Sequence, residues 1–376
     1  MGYIPGHADG IRGQVPYPGH PLRLRRLLPI RRSSAARAKV YVTGSRIGTL
    51  CVITVHRQDN LSTKALPCAL LIAGIAVLLA VAPASAAGRA EEKPEYDPAI
   101  AEIIAEIDES ELQHTVSALQ EIPTRAFGSG GNRAAGEYLY ARLTDIPGLE
   151  VEFQGGCLNN VIATLPGSAN TSDEVVMVGA HYDSISSDLA RAPGATDNGC
   201  GVAIVLELAR VMSGHSFDRT MRFALWNAEE DGCYGSIDYV EHAARSSDPI
   251  TLYINFDSTC YDPENRSVLD IIYDERSADI AALMIDHNTI YATNFTLTTN
   301  VHTCESDHTS FQVRGFPAVT THSEEHGPAH TPEDTIDHVS FDYARRNAQL
   351  GLSVLAAEAG LRGDGGAAIS KAPIAR

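Results

Sequence analysis

The sequence predicts an α/β fold in three layers, a largely parallel central sheet with helices on both faces. From Glu150 onward, apolar runs of strand length alternate with segments of helical period, the order that stacked βα units require. Within that series Val175–Ala180 is apolar almost without a break, as a strand covered on both faces must be. Histidines and carboxylates also fall just past the ends of the strands, where open α/β sheets keep their ligand sites.

The elements follow in order. Ile100, Ile103, Ile104 and Ile107, then Leu112, Val116 and Leu119, keep helical spacing across Pro94–Glu121, with Asp108 and Ser110 as capping residues between two helices. Gly128-Ser129-Gly130-Gly131 breaks the chain before a third helix at Ala134–Leu143. Strands are expected at Glu150–Gln154, Asn160–Leu165 and Val175–Ala180, then a helix at Val202–Met212. A strand at Met221–Trp226, a helix at Ser236–Ala244 and strands at Thr251–Phe256 and Val268–Tyr273 come next. A helix at Ser277–Ile290, a strand at Pro317–Thr320 and a helix at Tyr343–Ala359 complete a domain bounded at residues 94–361. Residues 362–376 are rich in Gly and Ala and read as a flexible tail.

The N-terminus is of another kind. Residues 1–66 hold 11 of the 29 Lys+Arg and 2 of the 47 Asp+Glu, with no sustained period, so residues 1–64 are expected to be an extension without a fold. Lys64, the apolar run Ala65–Ala82 and Pro83-Ala84-Ser85-Ala86-Ala87 form a charged flank, an h-region and a small-residue cleavage site. Residues 65–86 therefore read as a secretory signal peptide cut near Ala86, and the product as secreted or periplasmic with no stable membrane insertion. A membrane anchor is the rival, but Pro67, Pro83 and the cleavage site argue against it. So long a stretch ahead of an h-region is unusual, which places the expected native start downstream, for example at Val52 or Val55. The pairs Arg25-Arg26 and Arg31-Arg32 lie too far from the apolar run to form a twin-arginine signal.

With residues 1–66 set aside, 18 Lys+Arg face 45 Asp+Glu, a formal charge of 18 − 45 = −27. Such a chain repels nucleic acid and anionic membrane, and it suits a cationic metal centre. Five cysteines follow the cleavage site, Cys157, Cys200, Cys233, Cys260 and Cys304, so at least one thiol stays unpaired within the chain. An oxidising destination permits disulfides. Cys200 and Cys233 each stand three residues past a candidate ligand, which makes them candidates for proximity.

The candidate site residues have ordinary roles when taken singly. His181 ends a strand, Asp197 precedes a helix as a cap does, and Glu229-Glu230-Asp231 are acids near a helix start. Asp257 follows a strand, and His330 lies in the proline-bounded loop Pro328–Pro332. Together they have a chemistry. Zinc takes histidine nitrogen and carboxylate oxygen, and two histidines with three carboxylates serve two metals if one carboxylate bridges. One further carboxylate must move the proton, and Glu229, beside Glu230, is the natural candidate. Asp183, two residues past His181 and on the same side of an extended chain, can orient the imidazole.

The motifs Ala180-His181-Tyr182-Asp183-Ser184, Gly194–Gly199, Trp226–Gly232, Gly235-Ser236, Asn255-Phe256-Asp257, Ser306-Asp307-His308 and His330-Thr331 with Asp334-Thr335 occur in this order. In this the chain resembles the secreted two-zinc aminopeptidases, the aminopeptidase S and aminopeptidase Y family, over about Ile107 to Ala359. The resemblance implies a mixed sheet of about eight strands between helices. It also implies two Zn2+ per chain, with His181 and Asp257 on the first, Glu230 and His330 on the second, and Asp197 bridging. Glu229 would be the general base and then acid, Asp183 would orient His181, and the substrates would be peptides or proteins with a free N-terminus.

Two residues depart from some relatives: Ala329 stands where a Tyr donor precedes the last histidine, and Glu305 where an Arg precedes Ser-Asp-His. His322-Ser323-Glu324-Glu325-His326 has H-x-x-E-H spacing, but Thr320-Thr321 before it and Gly327-Pro328 after it deny it the helix that the inverzincin arrangement needs. No G-x-S-x-G occurs for a serine hydrolase. The remaining alternatives are a carboxypeptidase- or dipeptidase-like relative, a one-zinc glutaminyl cyclase and a metal-free receptor ectodomain. Retention of all five ligands favours the two-metal enzyme.

Overall fold

A computed structural model describes residues 39–47, 50–58, 94–168, 173–301 and 306–362. The expected signal peptide, the tail beyond residue 362, Cys304 and Glu305 lie outside them. β1 (Lys39–Ile47) and β2 (Leu50–Gln58) pair antiparallel as a ribbon separate from the main sheet. The sequence reading expects no element there. The signal lies in two runs of β-branched and aromatic residues, Val40–Thr43 and Val52–Val55, on either side of Gly48-Thr49.

The domain then runs α1 (Pro98–Ile104), α2 (Glu109–Gln120), α3 (Gly130–Thr144), β3 (Glu150–Gln154), β4 (Asn160–Leu165), β5 (Val175–His181), α4 (Cys200–Met212), β6 (Thr220–Trp226) and α5 (Tyr234–Ser246). It continues through β7 (Ile250–Phe256), β8 (Val268–Tyr273), α6 (Ala278–Ile290), β9 (Thr296–Val301), α7 (Asp307–Arg314), β10 (Ala318–Ser323) and α8 (Phe341–Ala359). Asp97, Asp108 and Ser129 each cap a helix by accepting a backbone N–H with the side chain. Ser110 lies inside α2, and its hydroxyl bonds to Asp108.

Strands β3 to β10 form one mixed sheet in the order β3-β4-β6-β5-β7-β10-β8-β9. The central four, β6-β5-β7-β10, are parallel, and β4 and β8 flank them antiparallel. The expected α/β sandwich is therefore present, with both faces of the sheet covered. Val176, Val178 and Ala180 of β5 join the core under α2, α4 and α8, while Val175 and Met177 join a second core with Tyr239 of α5 and Phe311 of α7. This is the period-two alternation of a buried strand.

Within the domain, two more elements go beyond the sequence reading. β9 is an edge strand whose residues are mostly exposed, so it lacks an apolar pattern. α7, Asp-His-Thr-Ser-Phe-Gln-Val-Arg, is short, and six of its eight residues are weak helix formers. Among the described residues no helix is long and apolar enough to cross a membrane.

Candidate metal centre

The four parallel strands deliver the site at their carboxyl ends, as the topology requires. His181 is the last residue of β5, Glu229 and Glu230 follow β6, Asp257 directly follows β7, and His330 lies in the loop after β10. Asp197 comes from the turn Ala195–Gly199 that leads into α4. Ala228 and His330 both hold left-handed backbone with φ of 60°, a conformation that costs a non-glycine residue energy and collects at functional sites.

Asp197 divides its carboxylate between the two histidines. Its Oδ1 is 3.2 Å from His181 Nε2 and its Oδ2 is 3.1 Å from His330 Nε2. Asp257 Oδ1 lies 3.3 Å from His181 Nε2, and Glu230 Oε2 lies 3.0 Å from His330 Nε2. Two ligand groups result, His181 with Asp197 and Asp257, and Asp197 with Glu230 and His330, meeting at the shared carboxylate. Glu229 belongs to neither. Its Oε2 stands 4.0 Å from His181 Nε2, and its Oε1 accepts the thiol of Cys233 at 3.4 Å. The five groups that the sequence reading singles out as ligands are thus brought together, with the proposed base beside them.

Electrostatics tests whether a cation fits. Burial opposes protonation of His181, yet the charges of Asp257 and Glu229 raise its pKa well above the usual imidazole value. Hydrogen bonds that the imidazole donates to Asp197 and Glu230 push His330 up to about 10. Burial pushes Glu230 up to about 7 and Glu229 well above the carboxylate range. Asp197 is pulled down, because the two histidines outweigh its burial. Without a metal these groups must hold protons among themselves to offset their charge. Glu230 Oε1 is also buried with no hydrogen-bond partner. An orphaned acceptor within a set of carboxylates and imidazoles suits divalent metal. The His330 side chain is 58% exposed, against 1% for His181, so the centre opens on the His330 side.

Surrounding groups fix this arrangement, and one expected role changes. The Asp183 carboxylate accepts the backbone N–H groups of Glu229 at 3.1 Å and Glu230 at 3.2 Å. His181 Nδ1 is nearer the Asp183 carbonyl, at 3.1 Å, than its carboxylate, at 3.6 Å. Asp183 therefore holds the imidazole mainly through its backbone, which leaves Nε2 to face Asp197 and Asp257, while its carboxylate aligns the Glu229-Glu230 turn.

Three other contributors have no role assigned from the sequence, although Asp334 and Ser306 stand within its motifs. Asp334 accepts Thr196 N–H at 2.8 Å, Thr196 hydroxyl at 2.7 Å and Asp197 N–H at 3.1 Å, and so fixes the bridging loop. Arg125, wholly buried, donates to the carbonyls of Tyr182, Pro193 and Gly194. Burial lowers its pKa to about 10, against the pull of Asp334 and Asp183. Ser306 donates to Asp257 Oδ2. Arg125 carries no local signal, because a loop Arg is ordinarily solvated, and the Ser306 motif does not say which carboxylate the hydroxyl meets.

Cys200 pairs with Cys260, which ties the Asp197 loop to the Asp257 loop. This replaces the suggested proximity of Cys200 to Cys233, since Cys233 keeps a free thiol and turns toward Glu229. Cys157 is also disulfide-bonded. The H-x-x-E-H segment runs from the end of β10 into a turn, where His322 and His326 stack edge to face at 4.6 Å and join neither ligand group.

Known proteins resemble the chain in sequence and in fold. Leucine aminopeptidase 1 of Chaetomium globosum is 26% identical over 294 residues, covering 70% of this chain and 70% of that protein. The LapA aminopeptidase of Legionella pneumophila superposes with a TM-score of 0.62 at 20% identity, over 72% of this chain and 78% of its own. A glutaminyl cyclase of Bacteroides thetaiotaomicron does so with a TM-score of 0.55 at 18% identity, over 66% and 98%. These two structures share the fold. Residues 160–355, just over half of the chain and every candidate site residue within them, match peptidase family M28, and to that family the chain belongs.

Proposed function

We propose that the chain is a secreted two-zinc aminopeptidase that removes N-terminal residues from peptides. The observation that carries this reading is the divided carboxylate of Asp197, with one oxygen toward each histidine. His181, Asp197 and Asp257 would hold one ion, and Asp197, Glu230 and His330 the other. Zinc in such a pair polarises a carbonyl and lowers the pKa of water.

The chain's own groups supply the rest. Glu229, buried and raised in pKa by that burial, has an oxygen turned toward the ligand pair. It accepts a proton from the attacking water and returns it to the nitrogen of the leaving peptide as the C–N bond breaks. Asp183 and Asp334 hold the turns that carry Glu229, Glu230 and Asp197. Export rests on the apolar run at residues 65–82, and the Cys200–Cys260 disulfide suits an oxidising destination.

The test joins metal content to substrate range. Asp197→Ala should lose both zincs together, and the wild type should release amino acid from Leu-p-nitroanilide but not from its N-acetyl form. Equal rates on blocked and free substrates would overturn the aminopeptidase reading. Cyclisation of N-terminal glutamine without release of an amino acid would replace it with a cyclase.

A further inference from the structure

A chain of buried hydrogen bonds runs from the core between the sheet and α5/α7 to a metal ligand. Trp226 Nε1 donates to the Tyr253 hydroxyl at 2.7 Å, and that hydroxyl donates to Asn255 Oδ1 at 2.6 Å. Asn255 Nδ2 donates to Ser306 Oγ at 2.9 Å, and Ser306 donates to Asp257 Oδ2. Trp226, Tyr253 and Asn255 are completely buried, and Ser306 is 1% exposed.

The direction of the chain is fixed at both ends. An indole N–H only donates and a carboxylate only accepts, so each group between them has one orientation open to it. Trp226 obliges the tyrosine to donate onward. That obliges Asn255 to turn its oxygen toward Tyr253 and its nitrogen toward Ser306, and Ser306 to point its proton at Asp257. Two further observations bear on this. Ser306 stands at the N-cap of α7, where a serine hydroxyl ordinarily accepts a helix N–H, yet it makes no capping bond. Gly179, on the neighbouring strand, leaves room for the first link: a Cβ there would lie 2.8 Å from both Trp226 Nε1 and the Tyr253 hydroxyl.

We propose that Tyr253 is a positioning residue for the metal ligand Asp257, acting through Asn255 and Ser306 along this one-way chain. The inference rests on the two-metal reading above. With Oδ2 taken by Ser306, Asp257 presents Oδ1 alone to the His181 side, where it stands 3.3 Å from Nε2. The chain thereby sets which oxygen meets the metal and holds it there before the ion arrives. Outer groups of this kind change metal affinity by about 10–100-fold when removed.

The experiment titrates zinc into metal-free protein against a chelator and follows the two binding steps, with thermal unfolding alongside. Tyr253→Phe should weaken one step about tenfold and leave the other unchanged. Ser306→Ala should weaken the same step by at least as much. The decisive variant is the double one: if Tyr253 acts through Ser306, Tyr253→Phe adds nothing to Ser306→Ala, whereas independent effects would add. Trp226→Phe removes only the first donor beside a retained ring and is the second probe, should Tyr253→Phe fail to fold. It too should add nothing to Ser306→Ala. Two zincs in the wild type with unchanged affinities in Tyr253→Phe, or additive losses in the double variant, overturn this inference alone. Fewer than two zincs in the wild type overturns the two-metal reading and this inference with it.

Discussion

Replacing Cys200 and Cys260 together by Ala should destabilise the protein by about 4 kcal/mol. The bond closes a sequence separation of 60 residues. The chain-entropy relation for a loop of that length gives about 14 cal/mol/K, or about 4 kcal/mol at 25 °C, withdrawn from the unfolded state by the crosslink. Both cysteines are fully buried, so the lost sulfurs also leave small voids that act in the same direction. Urea unfolding followed by Trp226 fluorescence is the assay. With a slope of about 3 kcal/mol/M, the midpoint should fall by about 1.3 M. Wild-type protein unfolded in a strong reductant should fall at least as far, since the Cys157 disulfide is reduced with it. A midpoint within about 0.3 M of the wild type, on the same slope, would refute the argument and place the stabilisation in native packing.

Other outcomes are expected from the same geometry. Glu229→Gln should keep both zincs and nearly normal KM while kcat falls by about 10²–10⁴, whereas Glu230→Ala should lower zinc content toward one; the opposite pattern by elemental analysis would exchange their roles. His330→Ala should remove one zinc and His326→Ala none, since His326 joins neither ligand group. His287, buried and bonded to Ser353, has a pKa lowered to about 4 by that burial. The unfolded chain takes up this proton first, so stability should fall as pH drops from about 6.5 toward 4 and level off below. Denaturant midpoints measured across that window should change less in His287→Asn, and an identical slope in the variant would discount the histidine.

The candidate ligands were legible because the topology of a parallel sheet places loop residues at one end. His181 ends, and Asp257 and the Glu229-Glu230 pair follow, a strand whose apolar run is unmistakable. Groups that hold those ligands were less legible, since their roles depend on contacts distant in sequence. Arg125 bonds to carbonyls more than fifty residues away, and nothing in Pro-Thr-Arg-Ala distinguishes it from a surface arginine. Asp183 was legible as a partner of His181 but not as the acceptor for Glu229 and Glu230, because its period-two position says nothing of the turn after β6. Cysteine pairing was closed to sequence arithmetic. Only the meeting of the α4 start with the loop after β7 distinguishes Cys260 from Cys233 as the partner of Cys200.

The candidate ligands enter the chain far apart, from the end of β5 to the loop beyond β10, and are spread over the ends of all four parallel strands, His181 and Asp197 both following from β5. No hairpin or single βα unit contains a whole site. Parallel pairings of this range form late, after long loops have closed. A nascent or partly folded chain therefore offers metal only scattered histidines and acids, and binding becomes strong only when the whole sheet is in register. Ions bound in this way draw the entire domain toward its native state by mass action. If the chain is threaded unfolded through a membrane pore, it carries no zinc across and must load from whatever the far side provides.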